Sequence, residues 1–154
     1  PTPSPLIRPF RAEDVPSLEA IARVSYTDSR FYFDAHFPRE RCDEFYATWT
    51  RNSCNGSGFA DQVLIAEVDG LSMGYISCKC HGTIGHIGLV GVAEQTRGRS
   101  LGQALVNQAL IWFTEQGMTA VEVVTQGRNI AAQRLYQRCG FLTASLQTWY
   151  HKWY

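Results

Sequence analysis

Apolar positions change their period several times along this chain, and each change marks an element. Leu6 to Phe10 reads as a short first strand. Val15, Leu18 and Ala22 then recur at helical spacing, with Ile21 and Ser25 widening the stripe. Asp14 suits the N-cap of that helix, Pro16 suits its first turn, and the pattern ends near Tyr26. From Asp28 to Pro38 the periodicity is lost in an aromatic-rich stretch holding Phe31, Tyr32, Phe33 and Phe37. Pro38 opens a second helix through Phe45, Tyr46 and Trp49 to about Asn52, and Gly56 and Gly58 stop it.

Gln62 to Val68 is dense in branched apolar residues and predicts a strand. Asp69-Gly70 is the strongest hairpin signal, and the return strand runs from Met73 to Cys80. His81-Gly82 gives a second turn before a strand from Ile84 to Val92. A glycine-bearing loop, Gln95 to Gly102, leads into a long helix ending at Gln116-Gly117, with Leu101, Leu105, Ala109 and Trp112 on one stripe. Ala120 to Gln126 is the next strand, Asn129 to Cys139 the last helix, and Phe141–Leu146 with Thr148–Tyr154 a closing strand pair. The order predicts a mixed α/β (α+β) fold, with a mostly antiparallel central sheet and about four helices. No repeat, low-complexity segment or linker divides it, so residues 1–154 are expected to form a single domain.

Composition narrows the function. Apolar residues make up 45% of the chain, which excludes a disordered protein. The 14 basic and 14 acidic residues cancel, so no bulk field draws the chain to nucleic acid or an anionic membrane. Any anion site must be local. The longest apolar run, Ile87 to Ala93, has seven residues; a membrane span needs about 20. The first residues carry no signal-peptide pattern, and the chain starts at Pro1, so processing or excision from a longer protein is expected. The five cysteines are odd in number and read as reduced thiols of a cytoplasmic protein; Cys78 and Cys80 lack metal-site spacing, and no metal is expected.

The loop Gln95-Thr96-Arg97-Gly98-Arg99-Ser100-Leu101-Gly102 joins a strand to a helix. A helix start offers unpaired N–H groups and a partial positive charge. Glycines let an anion approach the backbone, and Arg97 and Arg99 add charge. This is a phosphate or pyrophosphate cradle. It lacks the Gly-Lys-Ser/Thr ending of the P-loop, and a meander rather than a βαβ half precedes it, so it is not the dinucleotide fingerprint. A solvated strand-to-helix turn is the bland alternative.

Gln95-x-x-Gly98-x-Ser100 resembles the Q/R-x-x-G-x-G/A signature of the GCN5-related N-acetyltransferases (GNAT). Asn129-Ile-Ala-Ala132-x-x-Leu135-Tyr136-x-x-x-Gly140-Phe141 resembles that family's second signature, in the family's order and about 30 residues further on. The resemblance implies a GNAT-like sheet and acetyl-CoA as acetyl donor. It implies that the pyrophosphate sits on the amides of Gly98, Ser100, Leu101 and Gly102 beside Arg97 and Arg99. The pantetheine arm would lie along Leu89, Val90 and Val92, between splayed strands, with Asn129 also in contact. Ser29-Arg30-Phe31, Phe45-Tyr46-x-x-Trp49-x-x-Asn52, Gly74-Tyr75-Ile76, Thr125-Gln126 and Trp149-Tyr150 further resemble members that acetylate the amine of a nucleotide-linked 4-amino-4,6-dideoxygalactose.

Amine attack on a thioester needs a neutral amine, a donor for the oxyanion and a proton for the departing thiolate. Tyr136 shares a helix face with Ala132 and Cys139, small neighbours that leave its ring room, and is expected to protonate the thiolate. A capped core tyrosine is the alternative. The oxyanion donor is expected to be a backbone N–H near Leu89 or Val90, where Gly88 and Gly91 suggest a bulge. No base stands out; Asp34, His36, His86 and Glu94 are nominees. Arg30 is expected to meet a nucleotide diphosphate, and Phe31, Asp34 and Trp49 to line the acceptor pocket. Trp149 and Trp153 alternate in the terminal strand, whose edge suggests a homodimer. Acetylation of a protein N-terminus, peptide or other small amine remains an alternative, as does a non-catalytic acyl-CoA-binding module.

Overall fold

The computed structural model describes residues 5–98 and 100–154. Strand β1 (Leu6–Pro9) is followed by helices α1 (Val15–Ser25) and α2 (Arg39–Cys54). The meander β2 (Gln62–Val68), β3 (Leu71–His81) and β4 (Ile84–Val92) comes next, then α3 (Leu101–Glu115), β5 (Ala120–Val123) and α4 (Ile130–Arg138). The five strands lie in sequence order; β1 to β4 pair antiparallel and β5 joins β4 in parallel. A parallel neighbour needs a crossover, and α3 supplies it.

Strand alternation divides the core into two layers. Leu64, Ala66, Val68, Ile76 and Cys78 face α3, whose Leu101, Leu105, Val106, Ala109 and Phe113 are buried against them. Val63, Ile65 and Tyr75 face α1 and α2, meeting Leu18, Ile21, Ala22 and Tyr46. Phe113, not Trp112, is the deep member of the α3 stripe, and its ring lies over Gly85: a Cβ there would come within 2.5 Å of it. Trp112 sits one position round the helix and is only partly buried.

β4 changes sides partway along. Ile87 packs in the α3 layer, yet Leu89, two residues on, packs in the α1–α2 layer. The cause is a bulge in the β3–β4 register between Ile76 and Cys78, opposite Gly88. One inserted residue swaps the two faces. Ser77 holds the bulge closed: its buried hydroxyl accepts the Leu89 N–H at 2.9 Å.

Three expectations are corrected. Residues 141–154 contain no strand, and Leu142, Leu146 and Tyr150 are exposed. A strand needs a partner's backbone groups, and this segment is anchored instead by side chains described below, so the edge on which a dimer was expected does not form here. β5 stops at Val123 rather than Gln126, because its ladder with β4 ends at Ile87↔Val123. Asp14 does not cap α1 with its side chain. Its carboxylate accepts the Arg11 N–H at 2.6 Å, pairs with Arg8 at 2.8 and 2.9 Å, and accepts the Ser72 hydroxyl at 2.7 Å. Those bonds tie β1 to the start of α1 and to β3.

Candidate active site

The site lies where β4 and β5 part. Their pairing covers only Ile84–Ile87 of β4, so on the β5 side the edge from Gly88 to Val92 has no strand beside it among the described residues. The Ala93 N–H bonds Met73 O on the β3 side at 2.7 Å. Strand alternation therefore turns the amides of Val90 and Val92 the other way, into the gap that β5 has left. The Leu89 amide is engaged by Ser77, and the Leu89 side chain is buried in the α1–α2 layer.

The loop after β4 reaches the amino end of α3 through two left-handed residues. Gly98 has φ 83°, and Ser100, the N-cap, has φ 59°. Nothing lies within 4 Å of where a Gly98 Cβ would stand, so the glycine answers a backbone need. The Ser100 side chain makes no cap bond. Arg97 is exposed, and Arg99 lies outside the described residues. Leu101 is buried in the core, so it can offer a ligand only its amide. Gly102 has a packing reason of its own: a Cβ there would stand 3.1 Å from Leu135 of α4.

Asn129 is the N-cap of α4, its side chain accepting the Ala132 N–H at 3.0 Å. Gln133 steadies the approach to α4 by donating to Gly127 O at 2.8 Å. Tyr136, two turns along, packs against the α3 layer with its ring 5.7 Å from Phe141. No hydrogen bond from its hydroxyl is formed among the described residues. Burial, with the nearby Cys139 second, pushes the phenol up to about 12. Across the gap, Tyr75 packs under Gly91, and its hydroxyl bonds Tyr26 at 2.8 Å and Thr50 at 2.9 Å. Burial raises both Tyr75, to about 12, and Tyr26.

The aromatic stretch after α1 folds as a 3₁₀ turn at Arg30–Phe33. Arg128, just before the α4 cap, stacks over Phe33 at 3.7 Å, which places this turn at the amino end of α4. The Arg30 guanidinium lies between the rings of Phe31, at 4.6 Å, and Trp149, at 4.9 Å. Its Nε is buried and has no partner among the described residues. Asp34 gathers the tail: Oδ2 accepts from His151 Nδ1 at 2.8 Å and Trp153 Nε1 at 3.0 Å, while Oδ1 faces the His36 amide and ring, both at 3.0 Å. The His151 bond first, and the His36 amide next, hold this carboxyl well below the usual carboxylate range. Phe31 helps line a cavity of about 240 Å³ with Phe37, Arg41, Cys42 and Phe45. Trp49 is not part of it; with Phe45, Thr48, Asn52 and Phe59 it lines a separate cleft of about 260 Å³.

Of the residues expected to meet the acceptor, Arg30, Phe31 and Asp34 lie on this turn and Trp49 does not, and sequence reasoning missed that Trp149, His151 and Trp153 close over the turn. The cue was the density of polar-tipped aromatic side chains at the carboxyl end, which strand periodicity obscured. Of the nominated bases, His86 lies in the paired half of β4, 3.8 Å from Glu122, and Glu94 is exposed at the start of the turn that leads to α3.

A parallel pair that opens beside a helix amino end leaves bare backbone amides for a ligand to meet. The chain matches the Acetyltransferase (GNAT) family over residues 19–141 and belongs to that family. It is 29% identical over 140 residues to the spore coat polysaccharide biosynthesis protein SpsD of Bacillus subtilis, covering 91% of this chain and 48% of that protein. It is likewise 29% identical over 140 residues to the dTDP-fucosamine acetyltransferase of Escherichia coli, covering 90% of this chain and 59% of that protein. The chain therefore spans about half the length of these relatives. Its fold is similar to that of PaiA N-acetyltransferase from Thermoplasma acidophilum in complex with coenzyme A, with TM-score 0.73, 18% identity and 94% of each chain covered. Among the described residues, no helix is long and apolar enough to cross a membrane.

Proposed function

We propose that residues 1–154 act as one cytoplasmic acetyltransferase domain, which moves an acetyl group from acetyl-CoA to a primary amine. The acceptor is the amino group of a nucleotide-linked aminodeoxysugar, of the dTDP-4-amino-4,6-dideoxygalactose kind. The observation that carries this reading is the conjunction at the sheet's open end: the edge of β4 that β5 leaves, the amino end of α3 and the Tyr136 hydroxyl, which makes no hydrogen bond among the described residues. The aminosugar is favoured by the name of the Escherichia coli relative. It is favoured also by Arg30, whose buried Nε has no hydrogen-bond acceptor among the described residues.

In this reading the amides of Gly98, Ser100, Leu101 and Gly102, with Arg97 and Arg99, hold the donor's diphosphate. Val90 and Val92 bond the pantetheine arm, near Asn129, and the Val90 N–H faces the developing oxyanion. Leu89 contributes through its bond to Ser77, which fixes the bulge. Arg30 holds the acceptor's diphosphate, Phe31 and Trp49 offer rings, and Asp34 anchors the wall.

Tyr136 keeps its proton at neutral pH. On its own, handing that proton to a thiolate whose thiol has a pKa of about 8.5 runs uphill. The transfer must therefore be coupled: as Tyr136 protonates the departing sulfur, its oxygen takes back the surplus proton on the newly bonded nitrogen. The net movement, from a cationic nitrogen to a thiolate, is downhill.

The test is an acetylation screen with acetyl-CoA and a panel of nucleotide-linked aminosugars and peptides, read by release of free thiol. Tyr136→Phe should lower kcat about a hundredfold or more and leave acetyl-CoA affinity unchanged. Activity on peptides alone would overturn the acceptor; indifference to Tyr136→Phe would overturn the mechanism.

A further inference from the structure

We propose that His151 is the base that takes a proton from the acceptor's ammonium group, and that Asp34 positions it. This rests on the acceptor reading above, which puts the acceptor's diphosphate at Arg30 and so carries the attached aminosugar past the Asp34–His151 pair. A carboxylate can only accept, so His151 Nδ1 donates its hydrogen to Asp34 Oδ2 at 2.8 Å. That bond fixes the tautomer and leaves Nε2 with its lone pair free, the arrangement a general base requires. The carboxylate is itself held by Trp153 Nε1 at 3.0 Å and by the His36 amide at 3.0 Å, so it cannot swing away from the imidazole.

The location fits the task. The His151 ring stands edge-on to Phe37, at 5.8 Å, and Phe37 lines the same cavity as Phe31. Two residues earlier, Trp149 covers Arg30. The imidazole is 28% exposed, so an amine can reach it and its proton can leave to water. The charged and titratable groups around it are Asp34, His36 (whose ring stacks on Trp153 at 4.5 Å), Arg30 beneath Trp149, Arg41 on the cavity wall and Lys152 next in the chain.

The protons balance. His151 Nε2 removes one proton from R–NH3⁺. The neutral amine forms its C–N bond at the thioester carbon, giving a tetrahedral adduct with a cationic nitrogen and an anionic oxygen. Collapse breaks the C–S bond; Tyr136 protonates the sulfur and recovers a proton from the nitrogen. His151 then returns its proton to solvent, and the products are the amide, the thiol and one released proton.

The test compares wild type, His151→Gln and His151→Ala on the acceptor that the screen identifies. His151→Gln keeps a donor for Asp34 but cannot take a proton. It is expected to lose kcat about a hundredfold, to keep wild-type acetyl-CoA affinity by calorimetry, and to move the acid limb of the kcat/KM profile to that of the acceptor amine alone. Added imidazole should restore turnover to His151→Ala in proportion to its concentration, which a merely structural histidine would not allow. Wild-type turnover with either variant within threefold, or a loss confined to acceptor KM with an unchanged pH profile and no imidazole rescue, would overturn the role. Wild type that acetylates no aminosugar would instead overturn the acceptor reading, and this proposal with it.

Discussion

The bulge in β4 can be tested with two residues. Ser77 is 2% exposed, and its hydroxyl is the partner of the Leu89 N–H at 2.9 Å. Ser77→Ala leaves that amide unpaired, which costs about 1–3 kcal/mol. Gly88→Ala should cost a similar amount by a different route. Its new Cβ would stand 2.7 Å from the Ser77 hydroxyl, while every other neighbour is at 4.0 Å or beyond. The hydroxyl must turn away, and the same bond is lost. In the double variant the clash has no cause, so alanine at 88 adds nothing, or gains about 0.4–1 kcal/mol by restricting the unfolded chain. Ser77→Ala/Gly88→Ala is therefore expected to be no less stable than Ser77→Ala alone, with a coupling energy of about 1–3 kcal/mol. Urea denaturation of the four proteins measures it, and each kcal/mol should appear as roughly 2–4 °C in Tm at this size. Strictly additive single effects would refute the view that one hydroxyl both fills the bulge and satisfies it.

Acid should weaken the β1–α1 junction. The Arg8 hydrogen bonds, opposed by burial, hold the Asp14 carboxyl well below its ordinary value. A depressed folded pKa means that this stabilisation is fully present above the unfolded value, about 3.9, and is lost as pH falls through the folded one. Asp14→Asn should cost about 3 kcal/mol at neutral pH and flatten the loss of stability between about pH 4 and 2; a variant that keeps the wild-type acid slope would contradict this. Ser100, at φ 59°, sits where L-residues are strained. Relief of about 1–2 kcal/mol exceeds glycine's entropic cost of about 0.5–1 kcal/mol, so Ser100→Gly should stabilise the protein by up to about 1 kcal/mol in denaturant melts. Lowered stability would mean that the serine side chain makes a contact of its own.

The element order as far as α4 and the strand-to-helix turn at 95–102 were legible because both are written in local chemistry. Asp69-Gly70 sets a hairpin, Gly98 permits a left-handed turn, and Asn129 caps the helix that follows it. These need only neighbours within a few positions, so the strand from Ile84 to Val92 was read to the residue.

Tertiary structure decided what depends on partners distant in the chain. Whether Leu89 joins one layer or the other turns on Ser77, twelve positions away, and on the bulge their bond closes. Where β5 ends is set by where β4 leaves it, not by the strand-like composition of Val124 to Gln126. The carboxyl-terminal segment has the alternation of a strand but finds no strand to pair with; Asp34 and Arg30 hold it through side chains instead. Alternation records only that one face can be buried. It does not record which surface is free to receive it, and that is known only once the rest of the chain is in place.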